Sequence, residues 1–230
     1  MTRRIAIVFA LLVWRAPAYQ APGTHPVTGR KFAGVMGMNG ADWLTRPERE
    51  AEEQPEKALD ALNLKPGMVV ADIGAGVGYM SLRMAKRVGP TGKVYANDLQ
   101  PEMLAMLREN AAKAKITNVV TVLGDVADPK LPTNTMDLVL LVDVYHEFSQ
   151  PQQMLRKIRE TLKPDGRLVL LEYRAEDPNV PINPEHKMTV AQVKTELEAE
   201  GFVLQPVIET LPRQHILILT KAAAKAAGAR

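Results

Sequence analysis

Val69-Val70-Ala71-Asp72-Ile73-Gly74-Ala75-Gly76-Val77-Gly78-Tyr79 runs from an apolar stretch of strand length, through three alternate glycines, into a helical pattern. Apolar residues that do not alternate with polar ones mark a strand covered on both faces, as in a parallel sheet. Glycines at 74, 76 and 78 let the chain turn sharply and bring its backbone close to a ligand with no Cβ between. The same triplet also suits a plain tight turn, so its neighbours decide what it is for.

Working outward, Met68–Ile73, Lys93–Ala96, Val119–Leu123, Leu138–Val142 and Arg167–Glu172 read as strands. Between them Met80–Val88, Pro101–Lys115 and Pro151–Leu162 carry apolar residues at helical spacing, as in Met154, Leu155, Ile158 and Leu162. This alternation predicts an α/β fold, a doubly wound and mostly parallel seven-stranded sheet with helices on both faces. The pattern breaks near the end. Thr189 and Gln192 have capping-box spacing for a helix that turns Val190, Val193 and Leu197 inward and stops at Gly201. Phe202–Thr210 and His215–Thr220 are joined by Leu211-Pro212-Arg213-Gln214, too short for a crossover, which predicts a C-terminal antiparallel hairpin. Upstream, Thr45 and Glu48 have capping-box spacing, and a polar helix is expected from Pro47 to Leu62 with Ala58, Leu59 and Leu62 buried.

The composition bounds the chemistry. The 230 residues contain no cysteine, which excludes disulfides, thiolate metal sites and cysteine nucleophiles. The formal charge of +3 comes from the ends: residues 1–18 hold Arg3, Arg4 and Arg15, and residues 221–230 hold Lys221, Lys225 and Arg230, with no acid in either. The remaining body carries 23 basic and 26 acidic residues, so a basic face for nucleic acid is not expected. Thr2-Arg3-Arg4, the apolar run Ile5–Trp14 and Ala16-Pro17-Ala18 read as a secretory signal over 1–18, against a first strand or a mistaken start. A used signal implies an exported or periplasmic protein, an unused one a cytoplasmic protein. Ten apolar residues are too few for a stable membrane span. Residues 19–46, rich in Gly, Pro and Asn as far as 44, read as an arm or lid, and 221–230 as a basic, Ala-rich tail.

Asp72 ends the first strand, Asp98 the second, and Asp125 follows the third. The carboxyl ends of adjacent parallel strands face one crevice, so the three acids are expected to line a single site.

From Pro47 to Thr220 the chain resembles the class I S-adenosylmethionine-dependent methyltransferases, in their small-molecule branch. Asp72-Ile73-Gly74-Ala75-Gly76-Val77-Gly78 is similar to that family's first motif, with alternate glycines in place of the dinucleotide spacing. Met136–Leu141 and Leu162-Lys163-Pro164-Asp165-Gly166-Arg167-Leu168 are similar to its fourth strand and the turn before its fifth. The resemblance implies a Rossmann-like methyltransferase domain over 47–220 that uses S-adenosylmethionine and releases S-adenosylhomocysteine. It implies that Gly74, Gly76 and Gly78 cradle the methionine part, with Asp72 and Ala75 in the same set, and that Asp98 holds the ribose. Leu99 would flank the base, with Asp125 and Val126 at the adenine.

After the fourth strand comes Val142-Asp143-Val144-Tyr145-His146-Glu147-Phe148, where the resembling enzymes often read Leu-His-His and only His146 matches. His146 is the candidate base for in-line transfer to O, N, S or C of a small acceptor, since imidazole titrates near neutrality; a helix-start histidine satisfied by backbone is the other reading. Tyr145 is a candidate catalytic residue, and Tyr145 and Asp143 either shape the pocket or meet the methionine amine. Asp143, His146, Glu147, Glu172 and His186 would form a metal site only if their loops converged, and no pair has diagnostic spacing, so no metal is expected. Two rivals stand beside methyl transfer. One is an exported protein that binds S-adenosyl ligands without transferring methyl. The other is an NAD-dependent oxidoreductase, disfavoured by the glycine spacing.

Overall fold

The structure, a computed structural model, describes residues 23–223. The signal expectation for 1–18, the start of the arm and most of the tail therefore lie outside the described residues. Strands β1 (Val69–Ile73), β2 (Lys93–Asp98), β3 (Val119–Leu123), β4 (Met136–Val142), β5 (Leu162–Tyr173), β6 (Phe202–Leu204) and β7 (Gln214–Lys221) form one sheet in the order β3-β2-β1-β4-β5-β7-β6. The first five run parallel, while β7 inserts antiparallel between β5 and β6, as the short connection requires. Helices α1 (Arg49–Glu53), α2 (Pro55–Leu62), α3 (Tyr79–Val88), α4 (Pro101–Lys113), α5 (Pro151–Thr161) and α6 (Val190–Glu198) complete the fold.

Strand alternation splits the core into two layers. Ala71, Ile73, Val139, Leu141, Leu168 and Leu170 face α5 and α6, meeting Leu155, Ile158, Val193 and Leu197. Val70, Leu138, Leu140, Val169 and Leu171 face the other way, onto Leu59, Leu62, Met84 and Val88 of α2 and α3. Burying both faces of one sheet is what its unbroken apolar strands require.

The larger differences from the sequence reading fall in the first helix, in β5 and in β6. The expected helix from Pro47 to Leu62 is two helices, because Gln54 takes a left-handed conformation with φ 49° between α1 and α2. Pro55 explains the break, since its ring disfavours helical geometry at the preceding residue. The Thr45 cap does not form: Glu48 is the N-cap of α1, with no side-chain bond. Strand β5 begins at Leu162 rather than Arg167, and β6 ends at Leu204, with Ile208 meeting Ile216 as an isolated bridge. The capping box at Thr189 forms as expected, Gln192 N–H donating to Thr189 Oγ1 and Thr189 N–H to Gln192 Oε1.

The arm lies over the carboxyl ends of the strands. Its first part closes on itself through a Thr24–Lys31 bridge. Ala33 N–H then donates to the His146 carbonyl, and Gln100 Nε2 donates to the Met36 carbonyl. A 3-10 turn, Met38–Thr45, packs Met38, Ala41 and Leu44 on Val77 and Met103. Among the described residues no helix is long and apolar enough to cross a membrane.

Candidate active site

The turn after β1 needs its glycines. Gly74 and Gly76 have φ of 72° and 52°, a region side chains rarely adopt. A Cβ on Gly74 would meet Val144 at 2.5 Å, and one on Gly76 would meet Leu44 of the arm at 2.7 Å. Gly76 N–H donates to Asp98 Oδ2 at 2.8 Å, and Gln100 N–H donates to Asp98 Oδ1 at 2.9 Å. The tip of β2 is thereby tied to the glycine turn, with both carboxylate oxygens keeping further acceptor capacity. Burial raises the Asp98 carboxyl above its ordinary value, against the pull of those backbone bonds.

Beside this turn opens a cavity of about 380 Å³, of the size that small-molecule sites occupy. Gly74, Gly76, Asp98, Leu99 and Val126 line it together with Asp143, His146, Glu147 and His186, and Met36, Trp43 and Leu44 of the arm contribute to the wall. The cavity therefore joins the cofactor-side residues named from sequence to His146.

Several expected site residues lie elsewhere. Asp72 shares strand parity with Val70, so it points to the α3 side and accepts the Ser81 hydroxyl at 2.6 Å, off the cavity wall. Ala75 is buried and donates its N–H to the Asn97 carbonyl, and Gly78 caps α3 on the far side of the turn. Asp125 is exposed and accepts from its neighbour Val126 N–H, so Val126 reaches the cavity and Asp125 does not. Tyr145 is the main correction. The 3-10 turn Tyr145–Glu147 sends adjacent side chains in different directions, and Tyr145 is buried against His25 and Phe148, its hydroxyl 3.4 Å from His25 Nε2.

Asp143 follows β4 in a left-handed conformation, φ 54°. Its Oδ2 accepts from Gln214 Nε2 at 2.7 Å, while Oδ1 is buried with no partner. Burial, with the neighbouring charges of Glu53 and Glu172, pushes its carboxyl well above the usual range. A buried acceptor on a cavity wall with no donor of its own fits an amine-bearing ligand.

His146 is 1% exposed. Its Nδ1 lies 2.6 Å from Glu172 Oε2, and Glu172 Oε1 accepts the Tyr145 N–H, so the strand β5 acid fixes both ring and backbone. The His146 Nε2 faces His186 Nδ1 at 3.1 Å. Burial works to lower the His146 pKa, but the charge and hydrogen bond of Glu172 outweigh it and the net shift is upward. His186 is shifted down by burial and by His146. Burial pushes Glu147 up to about 7. The loops holding His146, Glu147 and His186 do converge: one ligand atom from each falls within 4.8 Å of the others.

Sequence reading passed over Arg46, Arg49 and Glu53, which also line the cavity. Arg49 Nε donates to Glu53 Oε2 at 2.7 Å, Arg46 to Glu52 and Glu53, and the Tyr173 hydroxyl to Glu53. The spacing of Arg49 and Glu53, one helical turn apart, was the available signal. Trp43 carries the Arg46 guanidinium 3.7 Å from its ring centre.

The strand order with its reversed seventh strand, and the glycine-turn cavity at the carboxyl ends, define the Rossmann-like methyltransferase fold. Residues 64–217 match the family described as Methyltransferase domain, and the chain belongs to that family. It is 33% identical over 111 residues to the protein-L-isoaspartate O-methyltransferase of Methanothrix thermoacetophila, covering 48% of this chain and 50% of that protein. It is 36% identical over 112 residues to the ubiquinone/menaquinone biosynthesis C-methyltransferase of Paraburkholderia phymatum, covering 48% and 45%. The chain thus spans about half the length of the curated relatives it matches. Among solved structures, a SAM dependent methyltransferase from Aquifex aeolicus superposes with a TM-score of 0.76 at 29% identity, covering 80% of this chain and 98% of that one.

Proposed function

We propose that the chain transfers the methyl group of S-adenosylmethionine to a small-molecule acceptor held in front of His146. The observation that carries this reading is the single cavity running from the glycine turn and Asp98 to the His146 corner. Bound there, S-adenosylmethionine supplies an electrophilic methyl group on a positively charged sulfur. Gly74 and Gly76 allow close backbone approach, Asp98 offers its spare acceptor capacity to ribose hydroxyls, and the unpartnered Asp143 Oδ1 accepts from the ammonium of the methionine part. Met36, Trp43 and Leu44 of the arm narrow the site around the reacting atoms. In-line transfer is largely positioning. A base matters only where the acceptor carries a proton on oxygen or sulfur, and there His146 Nε2, with Nδ1–H held by Glu172, takes it.

Calorimetric titration of the full chain with S-adenosylhomocysteine, NAD and NADP tests the reading. Micromolar binding of the first alone is expected, and silence from it or preference for a nicotinamide cofactor overturns it. With residues 1–18 read as an export signal, the protein acts outside the cytoplasm. Recovery of a tagged chain only in the cytosol and uncleaved would remove that part of the proposal.

A further inference from the structure

His146 and His186 stand 40 residues apart in sequence and bring two imidazole nitrogens to 3.1 Å. Two nitrogens bound to one zinc ion at about 2.1 Å and a tetrahedral angle lie roughly 3.4 Å apart, so the pair needs to open by only a few tenths of an ångström. The Glu147 carboxylate is the third group, with an oxygen within 4.8 Å of a nitrogen of each ring. Behind His146 sits the feature that metal-binding histidines characteristically carry, a carboxylate on the other ring nitrogen: Glu172 Oε2 at 2.6 Å from Nδ1. All three first-contact residues line the cavity, so a fourth position opens toward the acceptor.

We propose that His146 Nε2, His186 Nδ1 and the Glu147 carboxylate form a binding site for a divalent first-row transition metal of the zinc type, with Glu172 orienting His146 and the fourth position facing the cavity. Two imidazoles and one carboxylate are a donor set suited to zinc with one position left open. The site stands on this geometry alone, and only its use rests on the methyl-transfer reading. In the metal-loaded protein His146 is a ligand rather than a base. An acceptor hydroxyl or thiol held at the fourth position gives up its proton to solvent water more readily than when free. That selects acceptors whose reacting atom is an oxygen or sulfur able to bind the metal.

The test uses the full chain, stripped with a chelator and titrated with Zn²⁺ against a chromophoric competitor and with Co²⁺ under visible absorption. One ion per chain is expected, with the intense absorption of four-coordinate Co²⁺. His186→Ala and Glu147→Gln should each weaken uptake at least about tenfold, and Glu172→Gln by about 10–100-fold, while circular dichroism shows the variants folded. His215 sits between Glu209 and Glu176 at 2.7 and 2.9 Å and is the internal control. Loss of uptake in His215→Ala, with His186→Ala unaffected, overturns the proposal, as does uptake no greater than that of a His146→Ala/His186→Ala double variant. S-adenosylhomocysteine titrated into the same samples separates the two readings. Binding without zinc uptake defeats the metal site alone, and zinc uptake without binding supports it while defeating the cofactor assignment.

Discussion

Asp72 lies beneath the glycine turn with the Ser81 hydroxyl on one of its carboxylate oxygens. Burial pushes its carboxyl up to about 6, against the pull of Ser81 and Arg49 and with Asp98 adding to the rise. The folded state therefore holds the proton more tightly than the unfolded chain, whose value is near 3.8. The stability is full below about pH 4 and declines as pH rises to about 6, a cost of roughly 2–3 kcal/mol at neutrality. Asp72→Asn should accordingly raise stability by about that amount at pH 7.5 and by little at pH 4, read by urea unfolding at the two values. Equal effects at both would show that ionisation of this group is not what strains the site. Asp98 predicts the opposite kind of loss. It holds Gly76 and Gln100 and faces the cavity, so Asp98→Ala should weaken S-adenosylhomocysteine binding by about 1–3 kcal/mol in calorimetry. Unchanged affinity would remove the ribose assignment.

At the scale of elements, one arginine ties the arm both to α6 and to the His146 corner. Arg30 donates Nε and Nη2 to Glu196, and Nη1 to the His146 carbonyl. Glu196 is wholly buried, and Thr28 also donates to it. Arg30→Met should destabilise the chain by about 3 kcal/mol in urea unfolding, because it leaves a buried carboxylate short of its cation. A loss under about 0.5 kcal/mol, as at ordinary surface positions, would show that the contact holds nothing. The sheet was legible in the sequence because each strand carries its own apolar run and the capping box at Thr189 is local chemistry. The arm was not, since its hold depends on Arg30 meeting Glu196, 166 residues away, and Gln100 meeting Met36. The break at Gln54 had a local signal in Pro55, overridden by the helical pattern around it. The direction of Tyr145 had none, because a 3-10 turn rotates neighbours by about 120° and sequence spacing alone does not reveal its phase. His146 and Glu172 were named in one set that depended on their loops converging, and it is the pairing of β4 with β5 that brings their strand ends together.

For the whole molecule, a cofactor that binds only the folded chain must raise its melting temperature. S-adenosylhomocysteine at 100 times its Kd contributes about 2.7 kcal/mol, which for a chain of this size is about 5–10 °C. NAD at the same concentration should give no shift, and scanning calorimetry or dye-monitored melting checks both. Equal shifts would mean that the glycine turn does not discriminate between them.

The reversed strand β7 has a consequence for how the chain is made. It pairs with β5 along seven residues, from Arg167 opposite Thr220 to Tyr173 opposite Gln214. On the ribosome, the outer edge of β5 therefore stays open until synthesis has passed Lys221. A nascent chain that stalls before Gln214 presents Leu168-Val169-Leu170-Leu171 as an unpaired apolar edge, ready to join another copy. The last of the described strands to be translated is thus the one that shields the middle of the sheet from self-association.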